Sequence, residues 1–265
     1  MMTWSRPPVR IVGLLGWLVL AVFTSSAHAS HAWGNYHWAR TANPFTLKLG
    51  DNVSSAWDVY LTGASADWSA SSVLNTTIVA GGTAVRRCRP TSGRVEVCNY
   101  TYGNNGWLGL AQIWASGSHI TQGVAKMNDT YFNTQPYNTP AWRRLVVCQE
   151  IAHTFGLRHQ DENFSNGNLG TCMDYTSDPD GPPSNEHPNA HDFEQLEITY
   201  AHPDSTTTIS APANSKAPPA MTDIDFTTRA QWGKLVSSRH NGKVEVYELD
   251  FGRGHKVFTF VIWAE

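Results

Sequence analysis

Phe45, Leu47 and Leu49 alternate with Thr46 and Lys48, the period of a half-buried strand, and Gly50 closes the run. From Asn52 to Trp68 the spacing changes: Ala56, Trp57, Tyr60, Leu61, Ala64 and Trp68 recur every three or four residues, the apolar stripe of a helix, weakened by Gly63. Short β-rich runs follow at 76–79, 94–100, 108–114 and 119–127, separated by Gly, Asn and Ser turns. Pro140 suits a first helical turn and opens a second helical pattern, 141–155, that Gly156 can terminate. A polar loop occupies 160–189, and a last helix, 191–200, carries Phe193, Leu196 and Tyr200 on one face. Residues 203–219 shift to Ser, Thr, Ala and Pro without periodicity, the composition of a linker. Three strand-like runs remain, 234–240, 243–251 and 256–263, joined at Asn241-Gly242, a strong hairpin signal, and at 252–254. Three strands are marginal alone, so this tail either packs on the main domain or binds a partner. The pattern is α+β, with no internal repeat.

Composition narrows the class. The 265 residues are 41% hydrophobic and 15% charged, which is globular rather than disordered, and the net charge of −3 with no basic run argues against electrostatic binding of nucleic acid. Residues 1–29 read as a cleavable export signal: Arg6 and Arg10, an apolar run from Ile11 to Phe23, then Ala27-His28-Ala29. That run is too short to span a bilayer comfortably and no later stretch is long enough, so the expected product is secreted or extracytoplasmic, without a stable membrane anchor. Losing the two arginines takes the charge from −3 to −5. Export turns the four cysteines into a disulfide framework with three possible connectivities, of which Cys88 with Cys98 and Cys148 with Cys172 is favoured. Sequons at Asn52, Asn75, Asn99, Asn128 and Asn163 are glycan acceptors only in an organism that glycosylates in this way.

Chemistry concentrates in 148–159, Cys-Gln-Glu-Ile-Ala-His-Thr-Phe-Gly-Leu-Arg-His. Gln149 and His153 lie four apart on a helix, about 40° apart around its axis, and can present their tips to one point. Glu150 points in a neighbouring direction, suited to a proton acceptor beside them. His159 is too far round to join if the helix continues, but a glycine at 156 lets the chain leave in a left-handed turn that brings it back. Cys148, about 140° away from His153, is no substitute ligand.

The stretch resembles the metzincin zinc-protease signature H-E-x-x-H-x-x-G-x-x-H. Glu150, His153, Gly156 and His159 match, and Gln149 replaces the first histidine. Thirteen residues beyond His159, Cys172-Met173-Asp174-Tyr175 looks like the Met-turn of that family, and Gly109-Leu110-Ala111 looks like the start of its substrate-side edge strand. The resemblance covers most of 45–200. It implies a zincin fold, with a twisted mixed sheet, an active-site helix, a Met-turn and a C-terminal helix in residues 30–202, and leaves 203–221 as linker and 222–265 as a small antiparallel β appendage. It also implies one catalytic zinc ion held by Gln149, His153 and His159, with Met173 as a floor beneath it. The activity implied is that of an endopeptidase acting on peptides or proteins. In it Glu150 is the general base for a metal-bound water and Tyr175 stabilises the oxyanion.

Gln149 divides the expectation. A neutral amide oxygen is a poorer zinc ligand than imidazole, so the same scaffold also fits a catalytically silent pseudoprotease that binds peptides or proteins. Asp161, Glu162, Asn166 and Asn168 form an oxygen-rich loop compatible with calcium, although such loops are usually only solvated. Nothing in the spacing of His187 and His191 demands that they supply a replacement nitrogen. Only about a dozen residues separate the expected mature start from the first strand, so any latency has to come from elsewhere than a propeptide.

Overall fold

In the computed structural model the described residues are 1–3, 30–212, 217–223, 226–239 and 242–264. The bulk of the expected export signal, 4–29, and Asn241 of the expected hairpin turn lie outside them. Among the described residues no helix is long and apolar enough to cross a membrane.

The fold is α+β, built on one mixed sheet. Its strands are β1 (His37–Trp38), β2 (Phe45–Asn52), β3 (Leu74–Ala80), β4 (Val95–Tyr100), β5 (Trp107–Ser116), β6 (His119–Asn128), β7 (Lys234–Arg239), β8 (Val244–Asp250) and β9 (His255–Trp263). The sheet runs β3-β2-β4-β6-β5-β9-β8-β7, and β1 pairs with β6. β2, β3, β4 and β6 are parallel; β5, β9, β8 and β7 follow in antiparallel succession. The alternation predicted for 45–49 is seen directly, with Phe45, Leu47 and Leu49 buried and Thr46 and Lys48 exposed.

Helix α1 (Asp58–Trp68) starts later than its apolar stripe does, because Trp57 occupies the N-cap position. The motif helix α3 (Pro140–His153) is capped by Thr139, whose hydroxyl accepts from the Trp142 amide, and has Pro140 in its first turn. Helix α4 (Ala190–Thr199) opens with a capping box between Asn189 and Asp192. Two single-turn helices complete the set, α2 (Asp129–Phe132) and α5 (Ala220–Asp223).

Both faces of the sheet are covered, which is why every position of β5 except the last is buried. On one face Ala111 and Ile113 of β5, Ala125 and Met127 of β6, and Phe258, Phe260 and Ile262 of β9 join Trp68, Leu145 and Ile151 from the helices and Phe155 from the turn after α3. On the other face Leu110, Trp114, Val124, Val257 and Val261 pack with Met221, Phe226 and Trp232 from the segment that precedes β7.

Two expectations are corrected here. Strand β5 is not an edge strand, because β9 pairs with it from Trp107↔Trp263 to Ser116↔His255. The tail is not an appendage either, since β7, β8 and β9 extend the main sheet. The described part of the expected linker is pinned: the amides of Asp204, Thr208 and Ser210 donate to the carbonyls of Arg40, Ala39 and Gly93. The Cys88–Cys98 and Cys148–Cys172 disulfides are both formed, as favoured from the sequence.

Candidate functional site

The turn that leaves α3 is buried and its carbonyls are satisfied. Trp38 Nε1 donates to the Thr154 carbonyl at 2.8 Å and the Tyr200 hydroxyl to the Phe155 carbonyl at 2.9 Å. Gly156 then turns at φ +91°, and a Cβ there would collide with the Tyr36 carbonyl, so both conformation and space exclude other residues. The turn returns His159 to the helix, as its spacing predicts, and His153 Nε2 lies 3.0 Å from His159 Nε2.

The other ring nitrogens determine what that approach means. His153 Nδ1 is 2.8 Å from the Leu157 carbonyl, which can only accept, so Nδ1 carries the proton. His159 Nδ1 faces Glu162 Oε1 at 3.4 Å, again an acceptor. Both Nε2 atoms therefore turn lone pairs toward the same space. Burial, with His159 adding to it, pushes the His153 pKa well below the ordinary imidazole value, and burial lowers that of His159 against the pull of Glu162, so a shared extra proton is disfavoured. A carbonyl or carboxylate behind each imidazole is the arrangement that orients histidine toward a metal.

Gln149 donates through Nε2 to the Cys172 carbonyl at 2.8 Å, which leaves its Oε1 buried without a partner among the described residues. Glu150 is fully buried, both its oxygens are unpartnered, and burial raises its pKa well above the carboxylate range. The Tyr175 hydroxyl is likewise buried and unpartnered, its ring 4.3 Å from that of His159. Met173 is buried in the core, and its carbonyl accepts from the Gln160 amide at 2.6 Å. Buried polar atoms without partners are rare in folded proteins, and Gln149, Glu150 and Tyr175 carry four of them on the segments that also hold His153 and His159.

The sheet seals this site from the other side. A Cβ on Gly109 would strike Glu150 Oε1 and Val146, so only glycine lets β5 approach the motif helix so closely. Strand β9 lays Phe260 flat on His153, with ring centroids 4.7 Å apart and planes 8° from parallel, and brings Ile262 beside Gly109. Neither Phe260 nor Ile262 stands out in the sequence, where their hydrophobic periodicity marks a strand but not its neighbour. A cleft of about 330 Å³, lined by His31, Arg158, His159, Glu162 and Arg239, reaches His159 from outside.

The remaining candidates go elsewhere. Asp161 accepts from the amides of Glu162 and Asn163 and from Asn166, Asn168 donates to the Asp178 carbonyl, and Glu162 turns to Arg158 and His159. His187 pairs with Asp67 at 2.7 Å and His191 stacks on His31. Of the sequon asparagines, Asn52, Asn99 and Asn128 are buried and hydrogen-bonded. Comparison with protein-family models finds no match, and comparison with curated proteins finds none.

Proposed function

We propose that the chain is an extracytoplasmic zinc-dependent endopeptidase of metzincin type, held latent by its own C-terminal strand. The observation that carries the reading is the pair of Nε2 atoms facing each other at 3.0 Å, each ring fixed by an acceptor on its far side. Gln149 Oε1, buried and unpartnered on the same helix as His153, would serve as the third ligand. Zinc held by these atoms would act as a Lewis acid on water and on the scissile carbonyl.

The chain's own residues supply the proton chemistry. Glu150, in a dry site that raises its basicity, takes a proton from the attacking water as its oxygen bonds to the carbonyl carbon. It then delivers that proton to the nitrogen as the C–N bond breaks. Burial holds Tyr175 neutral, so its hydroxyl donates to the oxygen that becomes negative. Strand β9 fills the position that an extended peptide adding to β5 would take, and opening requires its displacement.

The alternative is a pseudoprotease, supported by Gln149 and by the contact of Phe260 with His153. Elemental mass spectrometry of the purified chain, beside Gln149→His, separates the two readings. Near one bound zinc associated with this site in the parent supports the enzyme, with Glu150→Ala then expected to retain the metal and abolish hydrolysis. Zinc at this site in Gln149→His alone supports the binding protein.

A further inference from the structure

A second cluster lies away from the motif helix. The parallel pairing of β1 with β6 sets His37 opposite His119, so both imidazoles stand on one face. Asp204, from the strap that follows α4, is drawn to the same place: its amide donates to the Arg40 carbonyl at 2.7 Å, and its Oδ2 accepts from the Arg40 amide at 3.1 Å and from Arg40 Nη1 at 2.9 Å. Its other oxygen, Oδ1, lies 3.4 Å from His37 Nε2 and 3.3 Å from His119 Nε2. The three ligand atoms lie within 4.8 Å of one another, the one such grouping of three His, Cys, Asp or Glu among the described residues.

We infer that His37, His119 and Asp204 form a structural site for a zinc-class divalent ion, distinct from the site on the motif helix. Three observations support it. His37 Nδ1 is 2.7 Å from the Asn35 carbonyl, a backbone contact that orients the ring so that Nε2 points at Asp204 Oδ1. The two rings also converge: the Nε2 atoms of His37 and His119 approach the same Asp204 oxygen, at 3.4 and 3.3 Å, the convergence of donor atoms that a small cation needs. Finally, the supporting shell is in place, with Asn35 behind His37 and Arg40 behind Asp204, and His119 borders a cleft of about 270 Å³ through which an ion can enter.

His119 is a third exposed, so its rotation closes the set on the ion and leaves one position for water. The two histidines and one carboxylate, drawn from β1, β6 and the strap, would staple the start and the end of the domain to the middle of the sheet.

The test uses the full chain, stripped with chelator and titrated with zinc alone. The parent is expected to hold one more zinc per chain than either His119→Ala or Asp204→Asn, whatever the motif helix holds, and its zinc-induced rise in Tm should shrink in both variants. His119→Ala alters a partly exposed side chain, and circular dichroism confirms that each variant is folded; should either fail to fold, the other carries the comparison. Equal zinc content in the parent and the folded variants would overturn the site. So would a parent that binds no zinc.

Discussion

Glu150 exposes a conflict between stability and function at the level of a single residue. Its carboxyl is buried without a partner and its pKa is raised by desolvation, so with no cation bound the folded state favours the protonated form. A raised folded pKa contributes stability at low pH that is lost as pH rises toward and through that value. In chelator, Glu150→Gln is therefore expected to raise Tm at neutral pH, by about 2–4 °C for each kcal/mol recovered, and the gain should vanish in acid below the pKa of the unfolded carboxyl. Calorimetry of parent and variant at pH 4 and pH 7 checks this, and a gain independent of pH would mean that ionisation of Glu150 is not its source. The spacing of Gln149, Glu150, His153 and His159 made this residue set legible in the sequence. The sequence did not tell which nitrogen of each imidazole is committed, because the acceptors, Leu157 and Glu162, are set by the shape of the turn.

Among the elements, the turn at Gly156 connects helix geometry to the site. Its φ of +91° and the Tyr36 carbonyl packed against its α-carbon leave no room for a side chain. Gly156→Ala is expected to cost about 1–3 kcal/mol or more and to displace His159, read as a lower Tm together with weakened zinc binding. Wild-type zinc affinity in that variant would show that the turn does not position the ligand. Helix existence and the Pro140 start were readable because they rest on contacts within a few residues, whereas the Thr139 and Asn189 caps emerged only with the structure. Strand β1, only two residues long, has no periodicity to read, yet it supplies His37.

Across the whole molecule, the proposed latency rests on the tail. With β9 on β5, the catalytic candidates are covered by Phe260 and Ile262, and β7 adds Arg239 toward Glu162 at 3.7 Å. Phe260→Ala removes the ring stacked on His153 and is expected to lower stability by about 3–5 kcal/mol while raising peptide hydrolysis at least several-fold. A peptidase assay run below the variant's Tm checks it, with the Glu150→Ala/Phe260→Ala double variant as the blank. Hydrolysis unchanged by Phe260→Ala would mean that β9 does not limit access.

The sequence by itself determined the α+β class, the motif helix and its glycine exit, the return of His159 to His153 and the favoured cysteine pairing, because each rests on local spacing or on chemistry carried by particular side chains. Tertiary structure alone decided that β5 has two neighbours, that the strap and tail close the sheet instead of hanging from it, and that His37, His119 and Asp204 meet. Backbone hydrogen bonds along a strand edge are nearly the same for every sequence. The choice of partner therefore follows from burying Phe258, Phe260 and Ile262 on one face and Val257 and Val261 on the other, which no single segment encodes.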